Sequence, residues 1–234
     1  MSRILDVNNY LFISPKKIGI SVNESKDFSE IYKKEIHISE KTNQINFGLI
    51  NAFLENNIFK IEKILNNFVK KINLIIECKS FLTVSLSIKK NNHNELITKE
   101  NLIYYLNDAK DQCKKTIEKK KIIHMIVENY RIDNNNYSYF PEKLKCDSIT
   151  LDIKLICLDE TFLENLKKIL KNYQISIDHI VNADYIFQMS EEKDVDYYRI
   201  SKEVINGSNK NEILLIEKTQ KNWGFFEKFF NFFN

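Results

Sequence analysis

The stretch Lys121-Ile-Ile-His-Met-Ile-Val-Glu-Asn-Tyr-Arg-Ile-Asp133 decides the fold. Residues 122–132 are rich in β-branched and aromatic side chains and hold no Gly or Pro, the composition of a strand. A second such run follows at 148–158. The Asn-Asn-Asn-Tyr-Ser-Tyr segment at 134–139 between them has turn chemistry, which predicts an antiparallel pair. Upstream, 81–88 alternates Phe81, Thr83, Ser85 and Ser87 against Leu82, Val84, Leu86 and Ile88, a third strand of the same unit. Thr98 caps a helix carrying Leu102, Ile103, Tyr105, Leu106 and Ala109 between them.

Flanking this unit, the N-terminal part reads as short strands at 10–14 and 18–22 around Pro15-Lys16-Lys17, then strands at 32–39 and 44–50. A helix capped by Asn57 follows, with Ile58, Ile61, Ile64, Leu65, Phe68, Val69 and Ile72 at helical spacing. Beyond 158, Thr161 opens a helix with Phe162, Leu163, Leu166, Ile169 and Leu170. A strand at 175–180 and a helical stretch at 182–189 come next. Residues 197–205 and 213–216 read either as a hairpin across 206–209 or as a tether. The order ββββ-α-β-α-ββ-α-β-(α) defines an α/β (mixed α+β) protein.

Composition bounds the function. At 234 residues and 43% hydrophobic content the chain builds one large domain or two small ones. Lys+Arg 35 against Asp+Glu 32 gives a net charge of +3, too balanced for a nucleic-acid partner. Cys78, Cys113, Cys146 and Cys157 form no Cys-x-x-Cys pair, which fits free thiols in a reducing compartment. The first residues show no apolar secretory segment. His37, His93, His124 and His179 have no partners at metal-ligand spacing, so no metal is expected. His124 reads as a structural group of its strand. Asp147 with Asp152, and Glu191 and Glu192 with Asp194, read as solvated turns rather than acid/base pairs. Glycine is scarce: Gly19, Gly48, Gly207 and Gly224 are the full set, and no two lie close together. Backbone amides cradle phosphates where Gly permits close approach, so neither a Walker loop nor a dinucleotide fingerprint is present.

The C-terminal segment, Trp223-Gly-Phe-Phe-Glu-Lys-Phe-Phe-Asn-Phe-Phe-Asn234, is the strongest functional signal. At about 100° per residue, Trp223, Phe225, Phe226, Phe229, Phe230, Phe232 and Phe233 fill one half of a helical wheel. It is far shorter than the ~20 apolar residues a bilayer span needs. It suits a helix lying in the headgroup region, with docking on its own domain or in a partner groove as alternatives. Tyr137, Tyr139 and Phe140 on the long loop are candidate partner contacts, since aromatic residues on a protruding loop can anchor a partner. Packing back onto the sheet accounts for them equally well.

The order and local wording resemble the actin-like bacterial cell-division family FtsA, over about residues 10–190 plus the tail. In the opening stretch, His124, Tyr130 and Asp133 hold the places of the family's Ile-Leu-His strand and following aromatic and Asp, with Val127-Glu128 in place of its Pro-Gln. Leu96-Ile-Thr-Lys-Glu-Asn-Leu102 resembles the opening of its subdomain 1C helix. Phe47-Gly-Leu-Ile50 resembles the element before its first helix, and 83–87 its Val-x-Ile-Ser strand. Residues 149–156 and 175–180 resemble two later strands. The resemblance implies actin-like subdomain 1A at 1–81 and 159–205, an inserted 1C (SHS2-type) subdomain at 82–158, a linker or edge hairpin at 206–221, and a membrane-targeting helix at 222–234.

Departures from the pattern are equally specific. The family's first phosphate loop, Asp-x-Gly, is here Ile13-Ser14-Pro15-Lys16-Lys17, and its second, due near Glu192, is not found. The expectation is an incomplete actin-like fold without subdomains 2A and 2B, with the ATP site lost, hence no cofactor and no enzyme activity. The resemblance implies a membrane-tethered protein on the cytoplasmic face of the bacterial inner membrane at the division site. It would recruit divisome proteins through 1C, self-associate there, and reach FtsZ only by a surface other than 2B. The alternative is a PilM-like cytoplasmic adaptor of a pilus or secretion assembly.

Overall fold

A computed structural model describes residues 6–39, 43–190 and 194–213. The expected mixed α/β class is the one found, organised on two sheets. The first has five strands: β1 (Val7–Ile13), β2 (Lys17–Glu24), β3 (Glu30–His37), β4 (Lys71–Ile76) and β9 (Ser176–Asn182), in the order β3-β2-β1-β4-β9. β1, β2 and β3 form an antiparallel meander, and β4 and β9 run parallel to β1. The second has four: β5 (Phe81–Leu96), β6 (Lys120–Ile132), β7 (Asn135–Tyr137) and β8 (Lys145–Asp159), all antiparallel, in the order β5-β8-β6-β7. The pairing of the two diagnostic runs, β6 with β8, is as their composition predicts.

Parallel strands need crossover connections. Helix α1 (Phe47–Leu65) links the meander to β4, and the whole second sheet lies between β4 and β9. One face of the first sheet, with Leu11, Ile13, Ile20 and Leu74, is covered by α1 through Ile50, Leu54 and Ile61 and by α3 (Glu160–Lys171) through Leu163, Leu166 and Leu170. The other face, with Tyr10, Phe12, Ile75 and Val181, meets α4 (Ala183–Met189), α5 (Tyr197–Ile205) and Ile126 and Ile156 from the second sheet. The second sheet buries Met125, Val127, Leu151, Ile153 and Leu155 under α2 (Lys99–Thr116), whose Tyr105, Leu106, Ala109 and Cys113 face it. Thr98 caps α2 as expected, in a reciprocal pair with Asn101.

Four expectations are corrected. Residues 44–50, read as a strand, hold the start of α1. Asn46 is the cap, accepting from the Leu49 amide at 3.1 Å, and Ile45, Phe47 and Leu49 only imitate a period of two. Asn57 is therefore no cap but a buried helix-interior residue, bonded to the Phe53 carbonyl and the Tyr32 hydroxyl. The helical reading to Ile72 overran the true end at Asn66, whose left-handed backbone (φ 49°) stops the helix. It thus missed β4, a central strand buried on both faces that shows no alternation. Residues 197–205, read as hairpin or tether, are α5. Asp196 caps it, and Tyr198, Ser201 and Val204 are buried at helical spacing. The membrane helix expected at 222–234 and the second half of the 206–221 segment, from 214 on, lie outside the described residues.

Candidate functional site

Two places gather side chains with more than packing to do, and both sit at the margin between β6 and the segment after α5. At the first, the backbone of 211–213 pairs with the edge of β6: the Val127 amide donates to the Asn211 carbonyl at 2.9 Å, and the Ile213 amide to the Met125 carbonyl at 2.8 Å. This brings Glu212 over the far face of the sheet, beside His124. The two side chains are 3% and 4% exposed. The Asn182 backbone amide donates to His124 Nε2 at 3.0 Å, so the ring proton sits on Nδ1 and is donated to Glu212 Oε1 at 2.6 Å. Tyr185 donates to the other carboxylate oxygen at 2.7 Å and itself accepts from Asn209 Nδ2 at 2.9 Å. Burial, and after it the bond to Glu212, pushes the Tyr185 phenol well above its ordinary range. A buried carboxylate is tolerated only when its lone pairs are used, and here the two partners come from β6 and α4. The constellation resembles a catalytic triad only in composition. His124 Nε2 is occupied by a backbone amide and faces no opening, so the set works as a fastening. This agrees with the structural reading of His124.

The second place is a groove of about 640 Å³ on the α2 side, lined by Leu102, Ile103, Leu106, Tyr130, Tyr139, Phe140 and Ile213 among others. Its floor is Tyr130, whose ring meets Phe140 at 5.8 Å and whose phenol is pushed up to about 12 by burial. Its rim carries the Lys99–Glu142 ion pair at 2.6 Å. Of the three loop aromatics singled out from the sequence, Tyr137 and Phe140 pack back onto the second core, while Tyr139 is 64% exposed over the groove. Packing back onto the sheet thus accounts for Tyr137 and Phe140 but not for Tyr139. Glu212 and the 209–213 segment were not foreseen: the segment pairs with β6 over too few residues to carry a strand pattern.

The 14–17 loop is a tight hairpin turn. Ser14 Oγ accepts from the Lys16 and Lys17 amides at 3.2 and 2.8 Å, and the Ser14 amide donates to the Lys17 carbonyl at 2.8 Å. The Ser14, Lys16 and Lys17 amides are thus all bonded within the turn. The carboxylates considered from sequence do not converge, and Asp147 and Asp152 both lie in strand β8 rather than in the solvated turns expected. Asp152 is held by Ser87 at 2.5 Å, Asn129 and Arg131, which lower its carboxyl below the usual range, while the Asp147 amide donates to Asp133 Oδ1 at 3.1 Å. Glu191 and Glu192 lie outside the described residues. So do Trp223, Phe225, Phe226, Phe229, Phe230, Phe232 and Phe233. Among the described residues no three His, Cys, Asp or Glu side chains gather to hold a metal, and no helix is long and apolar enough to cross a membrane.

The molecule is a two-sheet mixed α/β protein with a groove beside its second sheet. No protein-family model matches the sequence, and no curated protein does. Thirty chains of solved structures are similar to it. They include the PilM-PilN type IV pilus biogenesis complex, with 6% identity, 79% of this chain and 49% of that one covered, and a TM-score of 0.47. The cytoplasmic domain of EpsL, an inner membrane component of the type II secretion system of Vibrio cholerae, matches at 12% identity over 75% of this chain and 56% of that one, TM-score 0.34. A Bacteroides thetaiotaomicron protein with an actin-like ATPase fold and unknown function matches at 13% identity over 80% of this chain and 56% of that one, TM-score 0.30. The chain spans about half the length of these structures.

Proposed function

We propose that the protein is a non-catalytic, actin-like adaptor, held at the cytoplasmic face of the inner membrane by its aromatic tail and recruiting protein partners through its second sheet. The observation that carries the non-catalytic part is the 14–17 turn. At the position that in the FtsA family cradles a phosphate, Ser14 Oγ takes up both turn amides and the chain advances through Pro15, which has no N–H. The order β3-β2-β1-β4-β9, with a second sheet inserted after β4, supports the assignment of subdomains 1A and 1C that the sequence resemblance implies. In its finer form the reading is an FtsA-like divisome protein acting at the septum, with FtsZ reached by a surface other than 2B. A PilM-like adaptor of a pilus or secretion assembly is the second reading. The open apolar groove beside Tyr139 favours it, because such a groove accepts an apolar peptide segment.

Two measurements test this. Titration calorimetry with MgATP is expected to show no heat of binding, and saturable micromolar binding overturns the non-catalytic reading. Liposome co-sedimentation compares the full chain with a version ending at Gln220. Loss of pelleting on truncation, with the circular dichroism of the remainder preserved, is expected. If both forms stay in the supernatant, the tail is no membrane anchor, and the adaptor without a membrane helix becomes the better account.

A further inference from the structure

The apolar groove and the aromatic tail belong to one chain, and the structure brings the origin of the tail to the groove. Ile213 is the last described residue, and its side chain is part of the lining. It cannot drift away, because its own amide bonds to β6 and its neighbour Glu212 is fastened by His124 and Tyr185. From there the nine residues 214–222 lead to Trp223. Even partly extended, at no more than about 3.3–3.6 Å per residue, they allow up to roughly 30 Å of reach, enough to fold back over the groove from any direction.

What lines the groove matches what the tail carries. Ile103 is 58% exposed and Tyr139 64%, and Leu102, Leu106 and Phe140 lie beside them. Its volume, about 640 Å³, lies within the range that encloses a drug-sized apolar ligand, so it has room for two or three aromatic rings but not for all seven. We propose that this groove is the docking site in cis for the aromatic tail of the same chain, taking part of the Trp223–Phe233 face and holding it out of reach of the membrane. The choice of occupant follows from concentration. A segment tethered this closely is present at an effective concentration of about 1 mM. With an intrinsic dissociation constant of about 0.1 mM, typical of a weak contact through a few rings, roughly nine chains in ten are docked. A second copy or a separate partner must compete with that. The membrane half of the inference rests on the proposed function, whereas the docking half does not.

Trp223 is the single tryptophan, so emission excited at the red edge of the absorption band, where the 11 tyrosines hardly absorb, reports on the tail alone. In lipid-free buffer, the full-length chain is expected to show blue-shifted emission, protected from acrylamide and unchanged on tenfold dilution. Ile103→Lys and, separately, Tyr139→Lys place a charge in the groove at exposed positions. Each is expected to shift the emission to the red and restore quenching, with circular dichroism checking the fold. Phe59→Lys, on the exposed side of α1 and 74% exposed, is expected to leave the emission unchanged. With phosphatidylcholine vesicles containing phosphatidylglycerol, the two groove variants are expected to bind up to about tenfold more tightly than the parent, since the docked fraction is removed. Solvent-exposed Trp223 in the parent protein overturns the proposal. So does shielding that is lost on dilution, shielding that survives both groove substitutions, or shielding relieved by Phe59→Lys instead. If the groove variants expose Trp223 but no form binds vesicles, the cis dock stands and the membrane reading of the tail fails.

Discussion

Replacing Gly19 by alanine tests how α5 is fastened to the first sheet. Gly19 lies in β2 opposite Phe12, and the space above it is filled by Tyr198 of α5 and Glu35 of β3. A methyl group there would stand 3.0 Å from Glu35 Cγ and closer still to the Tyr198 hydroxyl oxygen, against about 3.5–4.0 Å for a relaxed contact. Tyr198 is 5% exposed and donates to Glu35 Oε1 at 2.9 Å, while Lys17 Nζ holds the same oxygen at 3.3 Å. The phenol must retreat by roughly 1 Å, which overpacks the core beneath α5 at a cost of about 1–3 kcal/mol. Alanine recovers about 0.5–1 kcal/mol of chain entropy relative to glycine in a strand. The expected net loss is therefore between about 0 and 2.5 kcal/mol, a fall in the thermal midpoint of up to roughly 10 °C for a chain of this size, followed by far-UV circular dichroism. Combining it with Tyr198→Phe removes the oxygen that clashes. The pair should then be more stable than the sum of the single effects predicts, by about 1 kcal/mol. A pair that is simply additive refutes the packing argument.

Glu212→Ala should free the 209–213 segment and leave His124 and Tyr185 without their shared acceptor, a loss of about 1–3 kcal/mol seen as a lower urea midpoint and faster amide exchange at Ile213. Asp159 caps α3 through the Phe162 amide at 3.0 Å and pairs with Lys120 at 3.1 Å, and these two contacts lower its carboxyl. Asp159→Ala should cost about 1 kcal/mol of stability at neutral pH. Partial burial raises the Glu35 carboxyl, but the Tyr198 hydroxyl and Lys17 more than offset it and hold it below its ordinary value of 4.5. A depressed carboxyl contributes stability above its unfolded range that is lost as pH falls through the folded value. The stability of Glu35→Gln should therefore depend less on pH below about 4.5 than that of the parent, in urea titrations stepped through that range. Burial pushes the Cys157 thiol up to about 12. Iodoacetamide at pH 8 should leave it unlabelled in the native protein and label it in urea, as peptide mass mapping would show.

What could be read in advance follows from which residues have neighbours close in sequence. β6 and β8 are long and edged by turn residues, α2 has its Thr98 cap, and α3 keeps a strict apolar stripe. Each is specified locally, so each was legible. β4 was missed because a strand buried on both faces carries Ile72, Leu74, Ile75 and Ile76 without alternation, and that run extends the helical spacing before it. α5 was missed because in Tyr-Tyr-Arg-Ile-Ser-Lys-Glu-Val-Ile the apolar residues fit a period of two as well as a helix. Of the candidate site, the aromatic character of Tyr139 and the tail was visible, while the groove and the Glu212 fastening were not.

By itself, then, the sequence determined the mixed α/β class, the antiparallel core of the second sheet, the absence of a glycine phosphate cradle and the concentration of aromatic residues after Asn222. These depend on periodicity, composition and backbone freedom, which are properties of neighbouring residues. Tertiary structure alone decided that β4 lies between β1 and β9, that Gly19 must leave room for Tyr198, and that Glu212 meets His124 across 88 positions of the chain. Those pairings arise only when separate cores close on one another. No local pattern encodes the distance between two side chains on different elements.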